Sequence, residues 1–131
     1  MYFRSAALIA LTLDSSQNAT FGGTVADSMG NLRTIPLYDI TSAHTLVAAD
    51  AGKSFTSDSE VIFPNSVFTA GQAITIINDS GSDITLTQGS GATLYNTTDG
   101  STGDRTLASR GMATALYVSA SDAYISGAGL S

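Results

Sequence analysis

Short segments in which apolar and polar residues alternate recur along the chain. In the segment 73–77, Ile74 and Ile76 fall on one face, and the segment 84–87 shows the same alternation. A period of two is the pattern of a β-strand with one buried face. Continued along the later segments, the pattern predicts a core that includes Ile74, Ile76, Ile84, Leu86, Leu94, Leu116 and Val118.

Clusters of turn-forming residues separate these segments. Examples are "NDSGSD" at 78–83 and "TTDGSTGD" at 97–104, which are rich in Gly, Asn, Asp and Ser. Only 47–53 and 105–112 tolerate a helix, and neither carries a 3.6-residue apolar stripe. Short strands between turns are typical of a sandwich or barrel, so we predict an all-β fold, a small antiparallel β-sandwich or jelly-roll-like module. The predicted strands are 6–13, 18–25, 43–47, 60–63, 73–77, 84–87, 92–95, 114–118 and 123–126.

The first strand segment, 6–13, is apolar on both faces, which indicates a strand that is covered on both sides. A two-stranded piece is marginal alone in water, so this part of the chain needs a partner. The composition changes near residue 35. We therefore predict an extended N-terminal strand segment for attachment and oligomerisation at 1–35 and a β-sandwich module at 36–131. The candidate oligomer interface consists of Leu8, Ile9, Leu11 and Leu13.

Composition and charge exclude several classes of partner. The formal net charge is −6 and the five Lys and Arg residues are scattered, whereas nucleic-acid binding requires clustered cations. The absence of Cys excludes disulfides and thiolate metal sites. The apolar run near the N-terminus is far shorter than the roughly 20 residues that cross a membrane. We expect no nucleic-acid partner, no membrane insertion and no cofactor.

Two features resemble sites of chemistry without completing them. His44 is the only histidine and lies in a strand pattern, and the chain has no G-x-S-x-G motif to supply a nucleophile. We interpret it as a half-exposed strand residue. The segment "ADAGKS" at 49–54 ends like a phosphate-binding loop, but Val47 stands where that motif requires glycine. We interpret 49–54 as a turn after a strand.

Several carboxylates occur in close pairs, which raises the question of glycoside hydrolysis or metal binding. Asp58 and Glu60 could share a strand face, but nothing in the sequence indicates the substrate groove that glycoside hydrolysis needs. The other two pairs are explained by the turn-forming preference of aspartate, and neither acidic turn has the full ligand spacing of a calcium loop. We therefore predict no enzyme activity, no catalytic residue and no metal site. The pairs are Asp58 and Glu60, Asp79 and Asp83, and Asp99 and Asp104.

The connection 96–104 is the longest uninterrupted polar stretch. Long loops on a rigid β scaffold are where recognition usually occurs, and this loop carries donors and acceptors suited to sugar hydroxyls beside the Tyr95 ring. The alternative is a plain solvated loop. The candidate receptor-contact residues are Asn96, Thr97, Thr98, Asp99, Ser101 and Asp104.

A combination of motifs over residues 18–131 resembles the C-terminal module of tail-fibre and other appendage proteins of tailed bacteriophages. The pattern is most similar to that of marine and cyanobacterial phages. The motifs are L-V-x-x-D-x-G-K within "HTLVAADAGK", F-x-x-G-x-x-I-T-I-x-N within "VFTAGQAITIIN", T-x-G-x-G-x-T-L within "TQGSGATL", and the terminal "ISGAGL". Each is weak alone, and the combination carries the resemblance.

The resemblance implies a virion structural protein, usually trimeric, without catalytic residues. We therefore expect a homotrimeric appendage module located in the virion, on a tail appendage or the capsid surface. Its partners would be other copies of the chain, other virion proteins and a host cell-surface glycan. The alternative is a capsid decoration protein, for which residues 1–35 would contact a different protein. A polysaccharide depolymerase is the weaker third hypothesis.

Overall fold

The computed structural model describes residues 2–5, 8–28, 30–32 and 34–131, with side chains from residue 11 onward within these ranges. The chain divides into two compact units, Met1–Thr34 and Ile35–Ser131. This boundary lies one residue before the one inferred from composition. The attachment and oligomerisation role of the first unit stays a prediction.

The first unit contains two small antiparallel sheets. In one, the second strand pairs with a strand on each side, and in the other two short strands form a hairpin. Of the predicted strand 18–25, only the first half is extended as a strand of the three-stranded sheet. The strands are β1 Tyr2–Ser5, β2 Leu8–Leu13, β3 Ala19–Phe21, β4 Ala26–Asp27 and β5 Gly30–Asn31.

The second unit is built from nine strands and one 3₁₀ turn at Ala48–Asp50, over residues that are all described. The prediction of a small all-β module is confirmed. Residues 105–112, which tolerate a helix by sequence, form the first part of a long strand. The strands are β6 Leu37–Ile40, β7 His44–Thr45, β8 Ser54–Ser57, β9 Val61–Phe63, β10 Ala73–Asn78, β11 Ile84–Gln88, β12 Thr93–Asn96, β13 Arg105–Tyr117 and β14 Asp122–Leu130.

The long strand β13 joins two halves of one sheet. Its C-terminal part pairs with β10, and β8 and β6 follow beside β10. We call this side, together with β14 and β12, the first half-sheet. Its N-terminal part pairs with β11, beside which lie β9 and β7, the second half-sheet. The inner faces of both halves contribute to one hydrophobic core, which gives a sandwich-like arrangement.

The strand directions differ from the antiparallel arrangement that the sequence suggested. Within 35–131, where every residue is described, five of the eight strand pairings are parallel. The chain runs through one strand of the first half-sheet and one of the second, and then returns to the first through 46–53 or 64–72. The next strand therefore lies beside the earlier strand of the same half-sheet and runs in the same direction. We call each such circuit a coil. These coils supply the crossover that parallel strands need, in place of helices.

Buried polar side chains mark the corners where the coils pass between half-sheets. Ile40, Ser57 and Asn78 lie side by side in register on β6, β8 and β10. The fully buried Asn78 amide donates 2.8 Å hydrogen bonds to the carbonyls of Ser82 and Leu107, and its oxygen accepts from Ser80. Because a buried amide must be hydrogen-bonded, this network stabilises the corner against β13.

A β-bulge brings β13 and β14 unusually close together. The register shifts between Leu107 and Met112, and Arg110 adopts a left-handed backbone with φ 63°. A Cβ atom placed on Gly127 would lie 2.0 Å from the Met112 carbonyl oxygen, and one on Gly111 would lie 2.8 Å from the Ala108 carbonyl oxygen. Gly127, the first glycine of the terminal "ISGAGL", is therefore required because the backbone of β13 leaves no room for a Cβ atom.

The core confirms the sequence-based prediction at five of its seven positions: Ile74, Ile76, Ile84, Leu86 and Leu94 are buried. The prediction is wrong for Leu116 and Val118, which are 45% and 48% exposed. Both faces of β13 are apolar in this region, so alternation alone did not identify the inner one. The strand pairing decides it, because Ala113 and Ala115 lie opposite Ile76 and Ile74 on the core side.

The hydroxyl of Tyr117 is buried without a hydrogen-bond partner among the described residues. The ring packs on Phe68, with ring centroids 4.6 Å apart, and burial raises the pKa of the phenol well above its usual value. An unpaired buried hydroxyl costs about 1–3 kcal/mol. We expect Tyr117→Phe to raise the free energy of unfolding by about 1 kcal/mol in urea titrations. A loss of stability would show that the hydroxyl has a partner, such as a buried water.

Candidate functional site

A pocket of about 300 Å³ opens beside β6, the 3₁₀ turn and β8, at the end of the coil stack. Ile40 and Phe55 line it with apolar surface and are themselves buried. The half-exposed ring of Tyr38 forms part of its wall. The pocket therefore combines an apolar base with ring surface that a ligand can reach.

The carboxylate of Asp50 organises the polar side of the pocket. One of its oxygens lies 3.0 Å from His44 Nε2 and accepts a 2.9 Å hydrogen bond from the Val47 backbone N–H. The other lies 3.7 Å from Lys53 Nζ. Asp50 is only 6% exposed, and these three partners compensate for the burial of its charge. The 3₁₀ turn thus holds a histidine, a lysine and an aspartate in a fixed arrangement.

The ammonium group of Lys53 is enclosed but incompletely bonded. It lies 4.5 Å from the centroid of the Tyr38 ring, in a cation–π contact, and its side chain is 15% exposed. The separation from Asp50 is that of an ion pair rather than a hydrogen bond. Lys53 donates no side-chain hydrogen bond to any described residue, so its ammonium group retains donor capacity for a ligand in the pocket.

The histidine does not belong to a nucleophilic triad. Its side chain is 36% exposed, which confirms the half-exposed position inferred from the sequence. Ser42 lines the same pocket, yet among the described residues no hydroxyl hydrogen-bonds to His44. The segment 49–54 forms a turn as expected, with Gly52 at φ 76°.

A second surface feature is an apolar row on the outer face of the first half-sheet. Ala73, Leu116, Tyr124 and Tyr95 lie in register on four neighbouring strands. The two tyrosine rings stack with centroids 4.9 Å apart, and Tyr124 is 44% exposed. Met112 and Val118, on the same face of β13, are also about half exposed. Together these side chains form an apolar surface on a module with few charges.

The loop that follows β12 is ordered by its own side chains. The predicted set of contact residues needs one correction, at Asn96. This residue is buried, at 7% exposure, because it points to the core side of β12, and its oxygen accepts from the Thr98 N–H. Asp104 is exposed but accepts a 2.8 Å hydrogen bond from the Gln88 N–H. The other predicted residues, Thr97, Thr98, Asp99 and Ser101, are exposed. Two of them are bonded to strands: the Thr97 N–H donates to the Ile125 carbonyl, and the Ser101 carbonyl accepts from the Asn96 N–H.

A buried arginine forms hydrogen bonds to the same loop. Arg105 is 8% exposed and donates to Ser101 Oγ at 2.9 Å and to the Gly103 carbonyl at 3.2 Å. Hydrogen bonds from the Ser101 hydroxyl and N–H, followed by the charge of Arg105, lower the pKa of Asp99. Asp99 therefore stays ionised well into the acid range, and the loop presents a fixed negative charge.

Part of the predicted oligomer interface lies outside the described side chains. This applies to Leu8 and Ile9, while Leu11 is partly buried and Leu13 is 37% exposed. Both edges of β2 are paired within the first unit. An interface through β2 would therefore use its faces rather than its edges.

The remaining acidic residues are held by local contacts. Glu60 accepts a short hydrogen bond from Thr87, and Asp79 pairs with Arg110 on the surface. Among the described residues, no three His, Asp or Glu side chains come together in a way that could hold a metal ion. The described part of the chain also contains no helix long and apolar enough to cross a membrane.

Comparisons with known proteins add no family to these observations. No protein-family model matches the chain, and a search of curated proteins finds no match.

The pocket residues Asp50 and Lys53 both lie in the motif L-V-x-x-D-x-G-K. That motif was the only sequence signal for the pocket, and its spacing gave no indication that His44 would join them.

Proposed function

We propose that this chain is a non-enzymatic structural module of a bacteriophage virion, of the tail-fibre or appendage type. In this proposal it forms a homotrimer and presents loops to the host surface. The observation that carries the proposal is the apolar outer face of the first half-sheet, with Leu116 and Tyr124 at its centre. Such a surface favours association with another protein surface.

The shape of the polar loops also supports a presenting role. The loop 97–104 is fixed by Arg105 and Gln88 on a rigid sheet, and its exposed side chains are hydroxyls and two carboxylates. Pre-organised loops bind with a smaller entropy loss than mobile ones. A virion protein that contacts host glycans would use groups of this kind.

The second candidate is a capsid decoration protein. It is favoured by the exposed apolar residues of the first unit, Phe21 at 50% and Leu32 at 63%, which suit extended contact with a different protein. Electron microscopy of particles labelled with an antibody to this chain separates the two functions. Label on tail appendages would support the first proposal, and label on the head shell would support decoration.

The oligomeric state provides the direct test. We expect light scattering at micromolar concentration to give three times the 13.3 kDa chain mass. Leu116→Asp should shift the protein toward monomer, because it places a charge in the centre of the apolar outer face. Thr85→Asp is the matched control, since Thr85 is an exposed strand residue of the other half-sheet. A stable wild-type monomer would contradict the trimer.

A further inference from the structure

We propose that the pocket formed by Tyr38, His44, Asp50 and Lys53 is a binding site for one residue of a neutral saccharide. The site is distinct from the loop 97–104, and the proposal does not depend on a virion role. Three observations carry it: the size of the pocket, the mixture of donors and acceptors around it, and its local charge.

The pocket has the dimensions and surfaces of a small-ligand site. Its volume of about 300 Å³ lies at the lower end of the range for such sites, which suits a ligand of one ring rather than an extended chain. Phe55 and Ile40 provide the apolar base, and Tyr38 is 49% exposed. A half-exposed tyrosine ring offers apolar surface for the C–H face of a sugar while its hydroxyl remains in water.

The polar groups include both donors and acceptors, as a polyhydroxylated ligand requires. Lys53 has N–H donors that no described residue accepts, and the hydroxyls of Thr41 and Ser42 line the opening. The Asp39 carboxylate is exposed and uses one oxygen to accept from Thr56. A sugar hydroxyl can donate to one of these groups and accept from another at the same time.

The charge balance argues against an anionic ligand. Lys53 supplies one positive charge to the pocket lining, while Asp39 and Asp50 supply two negative ones. Asp50 is already engaged by His44, Lys53 and the Val47 N–H, so it would not attract a cationic ligand strongly. A neutral ligand meets neither repulsion nor an unmet counter-charge, which favours an uncharged hexose over a sialic acid or a sugar phosphate.

The test is a titration of the ¹⁵N-labelled full chain with separate neutral sugars, followed by NMR. The probes are D-glucose, D-galactose, D-mannose and N-acetyl-D-glucosamine, with N-acetylneuraminic acid and glucose 6-phosphate as anionic comparisons. We expect at least one neutral sugar to shift the backbone amides of 38–44 and 53, with a dissociation constant on the order of millimolar because a single ring buries few atoms.

Two variants test whether the pocket is responsible. Tyr38→Ala should weaken binding by about tenfold or more, and Lys53→Met, which keeps the length of the side chain but removes its donors, should also weaken it. Thr85→Ala is the matched control, since Thr85 is an exposed strand residue of the second half-sheet and does not line the pocket. An amide spectrum as widely dispersed as that of the wild type shows that each variant is folded.

Three results would overturn the proposal. The first is that no neutral sugar shifts the pocket amides of the wild-type chain. The second is that Tyr38→Ala and Lys53→Met bind the sugar as well as Thr85→Ala does. The third is that an anionic sugar binds the pocket more tightly than every neutral one. Because the assay uses the chain in solution, none of these results bears on whether the chain trimerises or where it lies on a virion.

Discussion

Gly127→Ala will destabilise the second unit by about 3 kcal/mol or more, at the upper end of the usual effect of overpacking. The added Cβ atom would lie 2.0 Å from the Met112 carbonyl oxygen and 2.5 Å from the Ala113 Cα atom. Both are backbone atoms of β13, so a side-chain rotation cannot relieve the contact. The two strands must separate, and the pairing of β13 with β14 is the largest in the sheet.

Urea titration followed by circular dichroism measures this effect. Gly81→Ala is the matched control, because nothing lies within 4 Å of a Cβ atom there and its backbone φ is not in the left-handed region. We expect that control to change the free energy of unfolding by less than about 0.5 kcal/mol. A Gly127→Ala protein as stable as the control would show that β13 and β14 are farther apart than described.

Leu86→Ala and Ile76→Ala will each lower the free energy of unfolding by about 2–5 kcal/mol, the usual range for truncation of a buried aliphatic side chain. Both residues are fully buried, at 0% exposure, and they lie in opposite half-sheets. Each truncation therefore removes contacts from a different side of the same core.

The same urea titration tests these variants against Leu37→Ala. Leu37 is 59% exposed on β6, so its truncation should have a much smaller effect, below about 1 kcal/mol. A loss below about 1 kcal/mol at both Leu86 and Ile76 would contradict the strand register.

The candidate sites were only partly visible in the sequence. Polar loops are recognisable from composition, so the exposed part of 97–104 was identified, but the burial of Asn96 depends on which face of β12 meets the core. The pocket brings Tyr38 together with Lys53, which lies fifteen positions later, because a whole coil separates the two residues. No local pattern encodes a contact of that kind.

Alternation along the chain by itself determined that this protein is all-β and that Ile74, Ile76, Ile84 and Leu86 face the core. In β11 the buried Ile84 and Leu86 alternate with Thr85 and Thr87, so a single register buries the apolar face. In β13 both faces are apolar, and only pairing with β10 turned Ala113 and Ala115 inward and Leu116 outward. Parallel strand direction, likewise, was decided by the tertiary structure, because the return path of each coil depends on contacts between residues far apart in the sequence.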